Sequence, residues 1–155
     1  PGTKRRLERI GVYNGVMIID DFSHHPSEVV AALKVLRSAV SGGRVIVVFQ
    51  PHRYARTRIL KDEFGKALSV ADVVVVTGIY AGPGEEVEPG VGSRLVSEAA
   101  ARTGHPNVRL IEDAEEACRE AALSARPGDV VVTMGAGDIW KHHRAIQEVL
   151  LSGGQ

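Results

Sequence analysis

Three runs of uninterrupted apolar residues limit what this chain can fold into: Val45-Ile46-Val47-Val48-Phe49, Val73-Val74-Val75-Val76 and Val130-Val131-Val132. A strand with one solvated face alternates apolar and polar residues, because successive side chains point to opposite sides. Runs without alternation belong to strands covered on both faces, as in parallel sheets flanked by helices. Helical patterns of crossover length separate these runs, which is the arrangement of right-handed βαβ units.

The remaining elements follow from local signals. Gly11 to Asp20 reads as two short strands around Asn14-Gly15, a strong hairpin turn. A helix is expected from Pro26, with Val29, Val30, Leu33 and Leu36 at helical spacing and Glu28 in the first turn, where the helix dipole favours an acid. Strands are expected at 44–49, 72–77, 108–111 and 129–134, and helices at about 57–68, 91–103, 114–124 and 139–151. The expected fold is one doubly wound, Rossmann-like α/β domain over residues 1–155, its mostly parallel sheet edged by the antiparallel hairpin. The tails Pro1–Lys4 and Ser152–Gln155 are expected to fray.

Composition narrows the setting. The 155 residues suffice for one domain with a proper core. Nineteen Lys and Arg balance nineteen Asp and Glu, so charge favours neither a nucleic acid nor a membrane surface as partner. Cys118 is the sole cysteine, which excludes an internal disulfide, and its alanine-rich helical context reads as a buried small hydrophobe. No apolar run approaches the ~20 residues that span a bilayer, and Pro1-Gly2-Thr3-Lys4-Arg5-Arg6 is no signal-peptide pattern. The expected setting is reducing and cytoplasmic.

Ligands of open α/β sheets bind outside the carboxyl ends of the strands. Four unusual clusters are expected there: Asp20-Asp21-Phe22-Ser23-His24-His25, Gln50 to Arg58, the loop Tyr80 to Glu86, and Gly135-Ala136-Gly137-Asp138. Capping explains one polar residue of the first cluster but not two aspartates and two histidines together. A zinc site built from His24, His25, His52 and an aspartate fits no common ligand spacing, so no metal is assigned. In the second cluster, Arg53 and Arg56 fall where a helix begins, and cations there oppose the dipole unless an anion is bound. Three residues apart on a helical turn, they share a face and can grip one carboxylate. His52 adds a hydrogen bond or a proton, and Arg58 faces solvent. Gly135 to Asp138 reads equally as half a dinucleotide fingerprint or as a tight turn with Asp138 as N-cap. His142 and His143 read as surface residues of the last helix, and His105 as a loop residue. Nowhere is there G-x-x-x-x-G-K-[ST], so any triphosphate cradle lies elsewhere.

With these residues in view, the chain resembles the C-terminal domain of the Mur ligases, in the branch that adds L-alanine. The resemblance rests on Lys4-Arg5-Arg6-Leu7-Glu8, on Asp20 through Glu28, on Phe49 through Thr57, and on Gly135 to Ile139. Phe22 stands where that family more often has Tyr, Ser23 where it has Gly or Ala, and Leu7 where Phe is common. Phe22 also resembles the related murein-peptide ligase, which lacks the Gln50-Pro51-His52-Arg53 run. The resemblance implies an ATP-dependent amide-forming enzyme of three domains. An N-terminal domain binds UDP-N-acetylmuramate, a central domain holds most of the ATP and Mg2+, and this domain by itself requires no cofactor. It further implies that Arg6 and Asp21 contact the nucleotide, Asp21 at the ribose. His52, Arg53 and Arg56 would line the L-alanine site, with His24 near the reaction centre. A different class stays open beside it: a stand-alone anion- or nucleotide-binding module without catalysis.

Overall fold

The computed structural model describes residues 5–153. The expected fraying of Pro1–Lys4, and of Gly154 and Gln155, lies outside the described residues, as does Lys4 of the first motif. Ser152 is not part of a frayed tail; it ends the last helix.

In chain order the elements are β1 (Glu8–Tyr13), β2 (Val16–Asp21), α1 (Pro26–Ala39), β3 (Val45–Phe49), α2 (Tyr54–Leu68), β4 (Val73–Val76), α3 (Arg94–Arg102), β5 (Val108–Leu110), α4 (Ala114–Ser124), β6 (Val130–Met134) and α5 (His143–Ser152). One six-stranded sheet has the order β1-β2-β6-β3-β4-β5. Strands β1 and β2 are antiparallel, and every other neighbouring pair is parallel. The doubly wound fold with an antiparallel hairpin at one edge is therefore present.

The apolar runs are covered on both faces, as their lack of alternation required. On one face Val45, Val47, Phe49, Val74, Val76, Val130 and Val132 pack with Val29 and Leu33 of α1, Phe64 and Leu68 of α2, and Val96 of α3. On the other, Ile46, Val48, Val73, Val75 and Val131 pack with Ala117, Cys118 and Ala121 of α4 and with Ile139, Ile146 and Leu150. Burial pushes the Cys118 thiol up to about 12, as expected for an inert core thiol.

Several boundaries differ from expectation: β1 begins at Glu8 rather than Gly11 and α3 at Arg94 rather than near Val91, and two others have a visible cause. Helix α2 starts at Tyr54 rather than near Thr57, because its first amide is capped from another loop. The last helix is broken: Ile139–His142 forms a tight 3-10 turn before α5 begins. That turn is held at its start by Gln50, whose Oε1 accepts the Ile139 N–H at 3.1 Å and whose Nε2 donates to Asp138 at 2.9 Å.

Candidate functional site

Since β2, β6, β3 and β4 are parallel neighbours in that order, their carboxyl ends share one edge of the sheet. All four clusters therefore lie side by side. The first and second are linked by His24 and His52, whose rings lie 6.3 Å apart. The second and third are linked by backbone, since Tyr80 N–H donates to Pro51 and Arg53 N–H to Tyr80, at 2.8 and 2.9 Å.

Successive residues of β2 serve opposite faces of the sheet. Asp20 is buried, and each of its oxygens is used: Arg5 Nε donates to Oδ2 at 2.7 Å and Thr133 Oγ1 to Oδ1 at 2.7 Å. His143 Nε2 bonds the same Thr133 hydroxyl at 2.8 Å and stands 3.6 Å from Asp20. Burial would raise the Asp20 pKa, but His143, Arg5 and Thr133 outweigh it and hold the carboxyl below its ordinary range. Arg5 also donates to the carbonyls of Gly135 and Gly137 at 2.7 and 3.3 Å. His143 is thus no surface residue: its partner Thr133 lies on β6, invisible to helical periodicity.

Asp21 is turned to the other face. Its Oδ2 accepts the Leu7 N–H and its Oδ1 the Ser23 N–H, both at 2.8 Å. Leu7 and Arg5, the residues on either side of Arg6, both have positive φ, 49° and 58°. The segment is thereby folded back so that Arg6 and Asp21, paired by the family resemblance, line one cleft of about 440 Å³ with Leu7, Ser23 and Glu28. Arg6 is exposed there. Glu28 also works as a cap, its Oε1 accepting the amides of His24 and His25 at 3.1 Å each. Phe22, where a tyrosine was expected, carries the Arg5 guanidinium over its ring at 5.2 Å, a contact that needs no hydroxyl.

On the β3 side the cations gather. Arg56 Nη1 lies 3.1 Å from His52 Nδ1, and the His52 ring stacks on Tyr80 at 5.8 Å. Burial lowers the His52 pKa, and the charges of Arg56 and Arg53 lower it further. The imidazole is therefore neutral at pH 7, with Nδ1 able to accept from the guanidinium. Arg53 does not sit on the helical face expected for it. It is the N-cap of α2, with φ 73° and ψ 139°, outside the helical region. Among the described residues neither Arg53 nor Arg56 makes an ion pair within 4 Å. Arg58, in contrast, is paired with Glu88 at 2.9 Å.

His24 is half-buried between Phe22, His25 and His52, and its Nδ1 lies 3.1 Å from the Phe22 carbonyl. The Gly135–Gly137 turn is closely packed. A Cβ on Gly137 would come within 2.5 Å of both Gln50 Oε1 and the Tyr80 ring, so glycine there lets three carboxyl-end loops meet. Asp138 precedes the 3-10 turn but forms no side-chain cap. His105 is a loop residue that receives the Asn107 N–H at Nδ1 and bonds the Ala71 carbonyl through Nε2. Among the described residues no three His, Cys, Asp or Glu side chains are placed to hold a metal ion. Sequence reasoning missed Arg5, Thr133, His143 and Glu85. For Glu85 the one available signal was an acid in the loop after the strand next to β3.

Residues 5–137 match the family described as Mur ligase, glutamate ligase domain. A UDP-N-acetylmuramate–L-alanine ligase of Symbiobacterium thermophilum is 47% identical over 150 residues, covering 96% of this chain and 31% of the relative. The fold is similar to that of the solved UDP-N-acetylmuramate–alanine ligase of Thermotoga maritima, with a TM-score of 0.76 and 26% identity over 96% of this chain and 30% of that one. It is also similar to a murein peptide ligase of Psychrobacter arcticus, with a TM-score of 0.75 over 96% of this chain and 30% of that one; at 20% identity this likeness shows the fold alone. The chain spans about a third of the length of these relatives.

Proposed function

The chain belongs to the Mur ligase family as its glutamate ligase domain, and from that premise we propose that it holds the incoming amino acid, and one side of the nucleotide, for an ATP-dependent ligase of peptidoglycan synthesis. The substrate pair in this reading is L-alanine and UDP-N-acetylmuramate, in line with the names of its relatives. One observation carries the reading: Arg53 and Arg56 hold two guanidinium groups beside a neutral His52, with no acid paired to either among the described residues. Uncompensated guanidinium groups at a sheet's carboxyl edge are suited to a carboxylate.

Each residue then has a role. Arg53 and Arg56 hold the L-alanine carboxylate, which leaves its amine free to attack the activated muramyl carboxyl group. Holding the two reactants together lowers the entropic part of the barrier. His52, neutral and bonded to Arg56, orients that guanidinium. His24, next to His52, faces the reacting groups, and Arg6 with Asp21 meets the nucleotide in the cleft they line, Asp21 at the ribose. The family resemblance assigns triphosphate and Mg2+ to a central domain and the UDP-sugar to an N-terminal one, and this chain has no G-x-x-x-x-G-K-[ST] phosphate loop. The chain by itself is accordingly expected to form no amide bond.

The test is Arg53→Ala in the full-length ligase. The apparent KM for L-alanine should rise about tenfold or more while that for ATP changes less than about twofold, the pattern of lost substrate binding. Equal rises in both would sink the assignment of Arg53.

A further inference from the structure

Helix α2 is assembled against its own sequence. Its N-cap is Arg53, Arg56 lies in its first turn, and that turn contains no acidic residue. Positive charge at that end opposes the helix dipole and leaves the first amides without a side-chain cap from the helix itself. The missing carboxylate arrives from 31 residues away. Glu85 Oε2 accepts the Tyr54 N–H at 2.8 Å, and its Oε1 accepts the Gly82 N–H at 3.0 Å. The Glu85 amide in turn donates to the Gly82 carbonyl at 2.9 Å, which closes a tight turn. Burial would raise the Glu85 pKa, but the amides of Gly82, Tyr54 and Ala55 and the charge of Arg53 hold it below the ordinary carboxylate range. The group is ionised at neutral pH.

This turn lies directly against the arginine. A Cβ on Gly82 would be 2.7 Å from Arg53 Cζ, so the buried Gly82 backbone forms a wall along the guanidinium. Glu85 thus ties three things into one body: the α2 N-terminus, the Gly82 wall and, through the Tyr80 carbonyl that receives the Arg53 N–H, the arginine's backbone. That backbone needs external support, since φ 73° is unfavourable for any residue but glycine.

We propose that Glu85 is a positioning residue of the amino-acid site, one that fixes where the Arg53 guanidinium lies and fills the helix end, so that the substrate carboxylate is met by guanidinium groups and not by helix amides. This rests on the reading of Arg53 given above. Glu85 touches no reacting atom; it acts through Arg53.

Steady-state kinetics of the full-length ligase test it with four variants. Glu85→Gln keeps the size but offers one acceptor where two are used; it should raise the KM for L-alanine about five- to tenfold, with ATP KM within about twofold and kcat changed less than the alanine KM. Glu85→Asp retains the charge and should recover part of the loss, and it carries the test should the glutamine variant fail to fold. Glu86→Gln, at the exposed neighbour, should change neither constant. An alanine KM that falls or stays constant in Glu85→Gln overturns the proposal; a fall would mean that Glu85 occludes the site rather than shapes it. Arg53→Ala separates the two levels. If it leaves the alanine KM unmoved, the underlying reading fails. If it raises that KM and Glu85→Gln does not, only the role of Glu85 fails.

Discussion

The two halves of the carboxyl edge are built on opposite plans. On the β2–β6 side, Asp20, Arg5, Thr133 and His143 satisfy one another, and Arg5 spends its remaining donors on the Gly135 and Gly137 carbonyls. On the β3–β4 side, Arg53 and Arg56 face no carboxylate within 4 Å among the described residues, and the nearby carboxylate, Glu85, is committed to backbone amides. A closed polar network rigidifies the fold, whereas unpaired cations on a rigid frame are suited to a guest. Polar residues of similar type thus bind one another in one half and, in the proposed function, a substrate in the other. What separates them is whether their partners are already inside the chain.

The largest effect is expected where the network is broken. Asp20→Ala strands Arg5 and Thr133 in a buried site and should cost about 3–5 kcal/mol of unfolding free energy, measured by denaturant titration. The pH dependence has a definite sign. The folded-state pKa of Asp20 lies below that of the unfolded chain, so its contribution is complete above the ordinary carboxylate value of about 4 and is lost as pH falls through the folded value. Acid titration of the wild-type chain should show that loss, and the Asp20→Ala chain should lack Asp20's share of the slope. If Asp20→Ala costs under about 1 kcal/mol, the β2–β6 half is not the closed network described.

A pair of glycines gives a smaller and more discriminating contrast. A Cβ on Gly137 would meet Gln50 Oε1 and the Tyr80 ring at 2.5 Å, whereas one on Gly82 would meet the end of the Arg53 side chain. Gly137→Ala should therefore cost about 1–3 kcal/mol of stability through overpacking. Gly82→Ala should cost less than about 1 kcal/mol, because an exposed arginine can swing away, yet it should raise the alanine KM of the full-length ligase. Equal stability losses would erase the distinction between the halves.

Much of the frame was readable from residue patterns alone. Unbroken valine runs require strands covered on both faces, and Asn14-Gly15 requires a hairpin, so the doubly wound sheet and its antiparallel edge followed. His24, His52 and Arg56 were placed near one another by the strand ends they follow, whereas Arg6, which precedes β1, was set beside Asp21 by the family resemblance alone. What escaped depended on pairings across the sheet. The start of α2 at Tyr54 is set by Glu85, an acid in a different loop. His143 reads as a surface helix residue until β6 is placed beside β2, which brings Thr133 to it. Arg53 and Arg56 satisfy the spacing of a shared helical face, but the positive φ at Arg53 breaks the helical phase between them.

In the proposed function the β3–β4 cations bind a substrate and do not hold the fold. The most direct measurement is the double variant Arg53→Ala/Arg56→Ala, read for unfolding free energy in this chain and for L-alanine KM in the full-length ligase. The expected result is an unfolding free energy within about 1 kcal/mol of the wild type and an alanine KM raised by about two orders of magnitude, with ATP KM nearly unchanged. A chain that loses several kcal/mol while its alanine and ATP constants move together would contradict it.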